Sequence, residues 1–225
     1  SDRTKGVFIN SPSNPTGNVM SGQRMKKIAD LCREKGIPLI SDEIYHGLVY
    51  EGKEHSILEF TDNAFVFNGF SKLFAMTGLR LGYIIAPKPH IRTLQVLHQN
   101  FFICANSITQ SCGARALQES GEETEKMKET YNERRKYMIK RLREMGLGIT
   151  VEPTGAFYVF ANAKHVSEDS FALALDILEK QHVGVTPGIG FGANGEGYLR
   201  FSYANSLENI KKGMDRLEPY FSKRL

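Results

Sequence analysis

The sequence predicts an α/β fold in which a mainly parallel sheet with helices precedes a smaller α+β layer. Three observations support this fold class. Short apolar runs that end in turn residues alternate with amphipathic helical stretches in the first half of the chain. The first run, residues 6–10, stops at "SPSNPTG" and is typical of a buried strand. After the long helical stretch that follows Ser120, strands and helices alternate again around Gly-rich turns. We therefore expect two domains, residues 1–120 and residues 121–225.

The elements of the first domain follow from capping signals and apolar periodicity. In "SGQRMKKIADLCREKG", Ser21 is a suitable N-cap, apolar residues recur on one helical face, and Gly36 can end the helix. The runs "IPLISDE", "AFVFNGFSK" and "LRLGYIIAP" predict three more strands. A helical pattern then covers residues 91–118.

The second domain begins with a long amphipathic helix over "EETEKMKETYNERRKYMIKRLREMG". "GITVEPTGAFYVFANA" predicts a strand pair around residues 153–155. A helix over "SFALALDILEKQH", a Gly-rich segment, the strand "YLRFSYA" and a final helix complete the domain. Met127, Tyr131 and Met138 lie on the apolar stripe of the long helix, which is typical of core packing rather than of a cofactor site.

The composition argues against several function classes. The chain has 225 residues and a net charge of +4, but no Lys/Arg-dense tract with interleaved aromatic residues, so we expect no nucleic-acid binding within it. No apolar run reaches membrane-spanning length and no signal peptide is recognisable, so we expect no membrane association. Cys32, Cys104 and Cys112 form no CxxC pair, which indicates a reduced, cytoplasmic protein without a zinc site.

Polar residues follow three predicted strands at their carboxyl ends: Asn14, Asp42, and Ser71 with Lys72. In open α/β sheets ligands bind along that edge, so we expect these residues to meet in one cleft. Each residue alone has a simpler explanation. Asn14 can be a turn former before Pro15, Asp42 can cap a helix, and Lys72 can be a surface charge. Their shared location favours a site.

The residue types suit pyridoxal phosphate better than hydrolysis or metal chemistry. The chain has no GxSxG and no HExxH motif. A lysine such as Lys72 can form a Schiff base with a carbonyl group. The hydroxyl of Ser71 and the guanidinium of Arg80 suit a phosphate group. The carboxylate of Asp42 can pair with a protonated pyridine nitrogen.

Four motifs, in this order, resemble those of the class I/II aminotransferases among the fold-type I pyridoxal phosphate enzymes. They are "NPTG" (14–17), "SDEIYHGLVY" (41–50), "SKLFAMTGLRLGY" (71–83) and "YLRFSYA" (198–204). "PTGAFYVF" and "VTPGIGFG" also resemble the small domain of that family. The resemblance covers nearly the whole chain. It implies that the first domain is part of a three-layer αβα large domain that binds the cofactor, and that the second is the smaller α+β C-terminal domain.

The resemblance implies roles in binding pyridoxal 5'-phosphate. Lys72 would hold the cofactor as a Schiff base and carry the proton during transfer. Asp42 would bind the pyridine nitrogen, and Tyr45 would hydrogen-bond the phenolic oxygen of the ring. Ser71 and Arg80 would hold the phosphate.

Two further residues are implied in substrate binding. Arg200 would pair with the α-carboxylate, and Asn14 would contact both the substrate and the phenolic oxygen of the cofactor. On spacing alone, Arg200 can equally be an arginine on the surface of a strand. The family motif also implies a cis peptide bond between Asn14 and Pro15.

The resemblance further implies that part of the family pattern lies outside this chain. The phosphate loop, the aromatic ring that stacks on the cofactor and the substrate-access arm are not found before Asn14. We therefore expect the chain to be the C-terminal portion of a homodimeric aminotransferase that moves an amino group from an amino acid to a 2-oxo acid. The chain by itself is expected to bind the cofactor weakly or not at all, and to self-associate through unpaired sheet edges.

Other functions remain open on the sequence. A fold-type I carbon–sulfur lyase or a cyclopropane-forming synthase would share the same lysine, aspartate and arginine positions. An effector-sensing aminotransferase-like domain of a transcription regulator, or an inactive structural fragment, is also compatible with these motifs. The identity of the substrate stays open as well, because Arg200 indicates only an α-carboxylate.

Overall fold

The computed structural model describes Ser1 and residues 3–222. Contacts divide the chain into two compact units, the first made of Ser1–Pro12 and Val19–Lys126 and the second made of Ser13–Asn18 and the residues from Met127 onward. The expected domains, residues 1–120 and 121–225, stay a prediction. The sequence did not predict that Ser13–Asn18 belongs to the second unit.

The first unit contains a four-stranded mixed sheet. β1 (Val7–Asn10), β2 (Leu39–Asp42) and β3 (Ala64–Gly69) pair in parallel, and β4 (Gly82–Ile85) pairs antiparallel to β3. The strand order is β1-β2-β3-β4, so the sheet is mainly parallel and the α/β class is as predicted. A cluster of buried residues from the sheet, from the following helix and from a short 3-10 turn forms the core: Ile9, Met25, Ala29, Cys32, Leu39, Ile57, Ala64 and Val66.

Helix α1 (Gly22–Glu34) begins and ends as the sequence predicts. The Ser21 side chain accepts the Arg24 N–H, and Gly36 follows the helix with a φ of +62°. The helical pattern over residues 91–118 forms two helices, α2 (Lys88–Phe102) and α3 (Ser107–Glu119). Helix α2 ends before Ile103, because the φ of +65° at this residue cannot continue a right-handed helix.

The second unit contains most of α4 (Gly121–Glu144) and a three-stranded antiparallel sheet. The sheet consists of β5 (Tyr158–Asn162), β6 (Thr186–Pro187) and β7 (Tyr198–Ser202) in the order β5-β7-β6, and helices α5 (Ser170–Gln181) and α6 (Leu207–Ser222) accompany it. The strand pair predicted around residues 153–155 is wrong in its first half, because there only Gly148 bridges Asn162 among the described residues. Pro153 has no N–H, and its carbonyl accepts from Arg135 Nη1 at 2.8 Å instead of joining the sheet.

Helix α4 is held by its apolar stripe and by one arginine. Met138, Leu142 and Met145 are buried, as the periodicity predicts. Arg141 Nη1 donates to Asp215 of α6 at 2.8 Å, and this hydrogen bond is the main cause that raises the pKa of the guanidinium. Burial of apolar side chains and a charged contact between α4 and α6 therefore stabilise the second unit.

None of the helices in the described part of the chain combines the length and the apolarity that crossing a bilayer needs. The thiols of Cys32, Cys104 and Cys112 are free. Over the same residues, no three His, Cys, Asp or Glu side chains are grouped so that they could hold a metal ion.

Leu39→Ala is expected to lower the free energy of unfolding by about 2–5 kcal/mol, because Leu39 is fully buried on the central strand β2 and the truncation leaves a cavity. Leu31→Ala, at a position on α1 that is 55% exposed, is the matched control and should change stability by about 0.5 kcal/mol or less. Urea unfolding monitored by circular dichroism measures both. Equal losses for the two variants would contradict the assigned core.

Candidate active site

The carboxyl end of β2 carries Asp42, which is the last residue of the strand and lies opposite Phe67 of β3. Its side chain is half-buried and accepts the Ile44 N–H at 3.1 Å through Oδ1. Its carbonyl accepts from Asn10 Nδ2 at 3.0 Å, which ties the end of β2 to β1. The structure thus places Asp42 at the carboxyl end of the parallel strands, where the sequence predicts it.

Glu43 is a buried carboxylate that anchors the turn after β2, and the sequence did not single it out. It is 2% exposed, and its Oε1 accepts from Ser41 Oγ and from the Ile57 N–H, each at 2.9 Å. Its own N–H donates to the Phe67 carbonyl at 2.9 Å. Burial raises the pKa of the Tyr83 phenol, and the negative charge of Glu43 raises it further. The hydrogen bonds of this buried carboxylate fix the turn that carries Tyr45.

Tyr45 and Lys72 lie next to each other although they are far apart in the sequence. Tyr45 is buried, Lys72 is half-buried, and Lys72 Nζ lies 5.5 Å from the centroid of the Tyr45 ring. This distance is within the range of a cation–π contact.

The two segments approach closely at Gly47, where an added Cβ would overlap the Leu73 side chain. Gly47 has a φ of +91°, and its N–H donates to Glu54 Oε1 at 2.8 Å. The absence of a side chain at Gly47 therefore lets the Lys72 segment pack against the turn after β2.

Ser71 and Arg80 lie at the two ends of one hydrogen-bonded loop. The Thr77 hydroxyl donates to the Ser71 carbonyl at 2.9 Å, and Arg80 Nη1 donates to the Thr77 carbonyl at 3.0 Å. The Phe70 N–H donates to the Leu81 carbonyl at 3.1 Å and closes the loop. Arg80 has a φ of +55° and is exposed. A hydroxyl and a guanidinium are thus offered from a single short loop, which suits an anionic group.

Asn14 and Arg200 meet in the second unit. Arg200 lies on β7 between Phe160 of β5 and Thr186 of β6. Its Nη1 donates to Asn14 Oδ1 at 2.7 Å and its Nη2 donates to Thr186 Oγ1 at 3.2 Å. The structure confirms the predicted cis bond between Asn14 and Pro15. A second cis bond, between Ser11 and Pro12, was not predicted.

The loop that carries Asn14 is held through Gly17. Gly17 has a φ of +67°, and an added Cβ would lie against Pro153 and the carbonyl of Gly155. The Gly155 N–H donates to the Gly17 carbonyl at 2.8 Å. Arg135, which is 1% exposed, in turn holds the Pro153 carbonyl. The buried Arg135 of helix α4 therefore supports the loop beside Arg200.

The candidate residues fall into two sets. The structure places one set in the first unit (Asp42, Tyr45, Ser71, Lys72 and Arg80) and the other in the second unit (Asn14 and Arg200). That all of them meet in one cleft, as the sheet-edge argument predicts, stays a prediction.

Comparison with known proteins places the chain in a family. The family model described as aminotransferase class I and II matches residues 1–217. The chain belongs to this aminotransferase family. An aminotransferase fold is also found in the structural comparison: the aromatic aminotransferase of Pyrococcus horikoshii superposes with a TM-score of 0.95 at 38% identity, over 100% of this chain and 61% of that one.

Two sequence relatives illustrate the range of the family. A (5-formylfuran-3-yl)methyl phosphate transaminase of Methanocaldococcus jannaschii is 43% identical over 99% of this chain and 59% of its own length. An aspartate aminotransferase of Pyrococcus horikoshii is 43% identical over 97% of this chain and 57% of its own length. This member of the family thus spans less than two thirds of the length of these relatives.

Gly47→Ala is expected to destabilise the protein by about 1–3 kcal/mol more than Gly52→Ala, because only the first variant forces a Cβ into Leu73. Gly52 is a matched control: its φ of +85° is close to that of Gly47, and nothing lies within 4 Å of an added Cβ. Both variants share the cost of a positive φ, about 1–2 kcal/mol. Chemical denaturation measures the difference.

The cause of the extra cost is tested by adding Leu73→Ala to each glycine variant. If the Leu73 side chain is the obstacle, the difference between the Gly47 and Gly52 variants shrinks in the Leu73→Ala background. A difference that persists unchanged would show that the close approach of the two segments is not what Gly47 permits.

Proposed function

We propose that this protein transfers an amino group from an amino acid to a 2-oxo acid with pyridoxal 5'-phosphate as its cofactor. Membership of the aminotransferase class I and II family supports amino-group transfer in general. The observation that carries the proposal is the pairing of Lys72 Nζ with the buried Tyr45 ring beside the end of β2, where Asp42 lies. An amine, a phenol and a carboxylate are thus gathered in one unit, as this cofactor requires.

The chemistry of the donor set fits the cofactor group by group. A protonated pyridine nitrogen needs a carboxylate, which Asp42 offers at the sheet edge. A phosphate needs hydroxyl and guanidinium donors, which Ser71 and Arg80 offer from one loop. The aldehyde needs an amine, which Lys72 offers. When bound, pyridoxal phosphate supplies an electron sink for the bonds to the substrate α carbon.

We assign the proton transfers to the chain's own residues. The Lys72 amine takes a proton from the α carbon of the amino acid and returns one to complete the transfer. Tyr45 hydrogen-bonds the phenolic oxygen of the cofactor, and the Glu43 anchor keeps the backbone of the Tyr45 turn in place. Half-burial of Lys72 limits the contact of its amine with water.

We assign the substrate α-carboxylate to Arg200 and Asn14. Arg200 offers a planar set of donors that matches the two oxygens of a carboxylate. The relatives are named for phosphorylated furan, aspartate and aromatic substrates, so membership of the family does not define the side chain that this protein accepts.

We also infer that the protein works as a homodimer. The inference is supported by large apolar side chains of the first unit that face solvent, among them Phe101 at 74%, Phe102 at 72% and Ile103 at 80% exposure. Clustered exposed apolar residues of this size are typical of an interaction surface.

The chain by itself is expected to bind pyridoxal phosphate weakly, and borohydride reduction traps such binding covalently. Reduction of the protein mixed with excess pyridoxal phosphate is expected to place the label on Lys72, because Lys72 is the lysine among the residues proposed for the site and its amine lies beside the Tyr45 ring. Peptide mapping by mass spectrometry locates the label, and visible absorbance follows its formation. Lys72→Ala should remove the label, whereas Lys53→Ala, at an exposed position, should leave it unchanged.

A label scattered over surface lysines, or its persistence in Lys72→Ala, would contradict the assigned cofactor residue. Product analysis then separates reaction types. Continued turnover of the amino acid should depend on an added 2-oxo acid, whereas a carbon–sulfur lyase would turn over without an acceptor.

Arg200→Lys is expected to lower kcat/KM for the amino acid about 10- to 100-fold, because a lysine cannot form the two parallel hydrogen bonds of a guanidinium with a carboxylate. Steady-state kinetics with amino acid and 2-oxo acid measure the effect. Arg216→Lys, at an exposed position of the same unit, is the control and should behave as wild type. An unchanged kcat/KM in Arg200→Lys would refute the assignment of the substrate carboxylate to Arg200.

A further inference from the structure

We propose that Tyr158 and Phe191 are positioning residues that hold the Arg200 guanidinium ready for a substrate carboxylate. The proposal rests on the proposed function, in which Arg200 binds that carboxylate. It adds two residues that act through Arg200. Both lie in segments that resemble the family, but the sequence assigned a role to neither.

Both aromatic rings contact the guanidinium carbon. The Arg200 Cζ atom lies 4.2 Å from the centroid of the Tyr158 ring and 5.0 Å from the centroid of the Phe191 ring. Both distances fall within the range of a cation–π contact. Tyr158 is 7% exposed and Phe191 is 36% exposed, so the first ring is screened from water and the second is partly accessible.

A contact with a ring leaves the N–H donors of the guanidinium available. The group has five N–H donors in its plane. Asn14 Oδ1 and Thr186 Oγ1 each accept from one Nη atom. The Nε atom is buried and has no hydrogen-bond partner among the described residues. The rings therefore restrain Arg200 without occupying the donors that a carboxylate needs.

The two rings are themselves held firmly. Tyr158 lies on β5, two residues from Phe160, so both side chains lie on the same face of the sheet. Phe191 ends the 3-10 turn Gly188–Phe191, and its ring meets the ring of Phe160 edge-on, with centroids 5.9 Å apart and planes at 85°. The rings thus form an aromatic pair (Tyr158 and Phe191) around Arg200 that is fixed by the sheet.

The turn that carries Phe191 is anchored at its base. An added Cβ at Gly188 would overlap the carbonyl of Gly195, so the two ends of the Gly-rich segment touch. The Ile189 N–H donates to the hydroxyl of Ser170, which is fully buried at the start of α5, at 3.1 Å. This anchoring keeps Phe191 against Arg200 before any ligand arrives.

Restraint of Arg200 has a direct consequence for binding. A free arginine side chain loses much rotamer freedom when it forms a fork with a carboxylate, and that loss weakens binding. Contacts that restrain the side chain beforehand remove part of this cost. Removing one ring while keeping an apolar side chain should therefore weaken carboxylate binding without changing the cofactor residues.

The test uses the whole chain labelled with ¹⁵N-arginine and a simple probe, propionate, with the uncharged propionamide as its control. The Nε–H resonance of Arg200 is assigned by its loss in Arg200→Lys. Ring currents from Tyr158 and Phe191 should shift this resonance away from those of exposed arginines. Propionate, but not propionamide, should move it further in a saturable way.

Phe191→Leu is expected to return the resonance toward the position of exposed arginines and to weaken propionate binding about two- to fivefold. Phe191→Tyr keeps a ring and should preserve both properties. Phe171→Leu removes a phenylalanine that is 57% exposed on α5 of the same unit, and should change neither. The label on Lys72 after borohydride reduction should be the same in all three variants, which separates the carboxylate site from the cofactor site.

Any of three results would overturn the inference. One is an Arg200 resonance without a ring-current shift in the wild-type protein. A second is Phe191→Leu binding propionate as tightly as wild type. Third, if the ring-current shift is present but propionate leaves the wild-type resonance unmoved, the assignment of the carboxylate to Arg200 in the proposed function is wrong, and the positioning role is overturned with it. A normal Lys72 label in that experiment would confine the failure to the substrate side.

Discussion

The parallel register between β2 and β3 is the constraint on which the first unit depends. It sets Asp42 opposite Phe67, and the next N–H along the chain, that of Glu43, donates to the carbonyl of Phe67. A shift by one residue would exchange the two faces of β2, bring Leu39 out of the core and turn Asp42 inward. The positions of the candidate cofactor residues therefore follow from backbone hydrogen bonds that form whether or not a ligand is present.

The second unit differs from the first, because its candidate binding residue, Arg200, is a cation on the surface of a sheet. Arg200 is stabilised by a neutral amide, a hydroxyl and two aromatic rings, and none of these four contacts is an ion pair. A carboxylate partner from the protein would compete with an anionic ligand for the same donors. These four contacts restrain the guanidinium, but none of them neutralises its positive charge. The guanidinium therefore still attracts an anionic ligand.

The sequence predicts the elements better than their contacts. Apolar runs and caps such as Ser21 depend on neighbours along the chain, so β1 to β4 and α1 could be predicted from the sequence itself. The cis bond before Pro15 was implied only by the resemblance to a family motif. The break at Ile103 could not be predicted, because an isoleucine gives no local signal for a positive φ.

The site shows the same limit. Motifs indicated Lys72 and Asp42, because these residue types carry the chemistry of the cofactor. Glu43 and Phe191 lie within motifs that resemble the family, but their residue types do not carry that chemistry. Their roles arise only when the fold brings the Ile57 N–H beside Glu43 and the Arg200 guanidinium beside Phe191. Residues that act by supporting another residue are therefore the part of a site that a single sequence conceals.

The chain passes between the two units three times. Ser13–Asn18 belongs to the second unit while the residues on both sides of it belong to the first, and the chain leaves the first unit again at Lys126. The second unit is thus not one continuous stretch of polypeptide. A single proteolytic cut in α4 would leave the loop that carries Asn14 covalently joined to the first unit, and held to the rest of the second unit only by non-covalent contacts. A polypeptide that began at Met127 would lack the side chain to which Arg200 Nη1 donates.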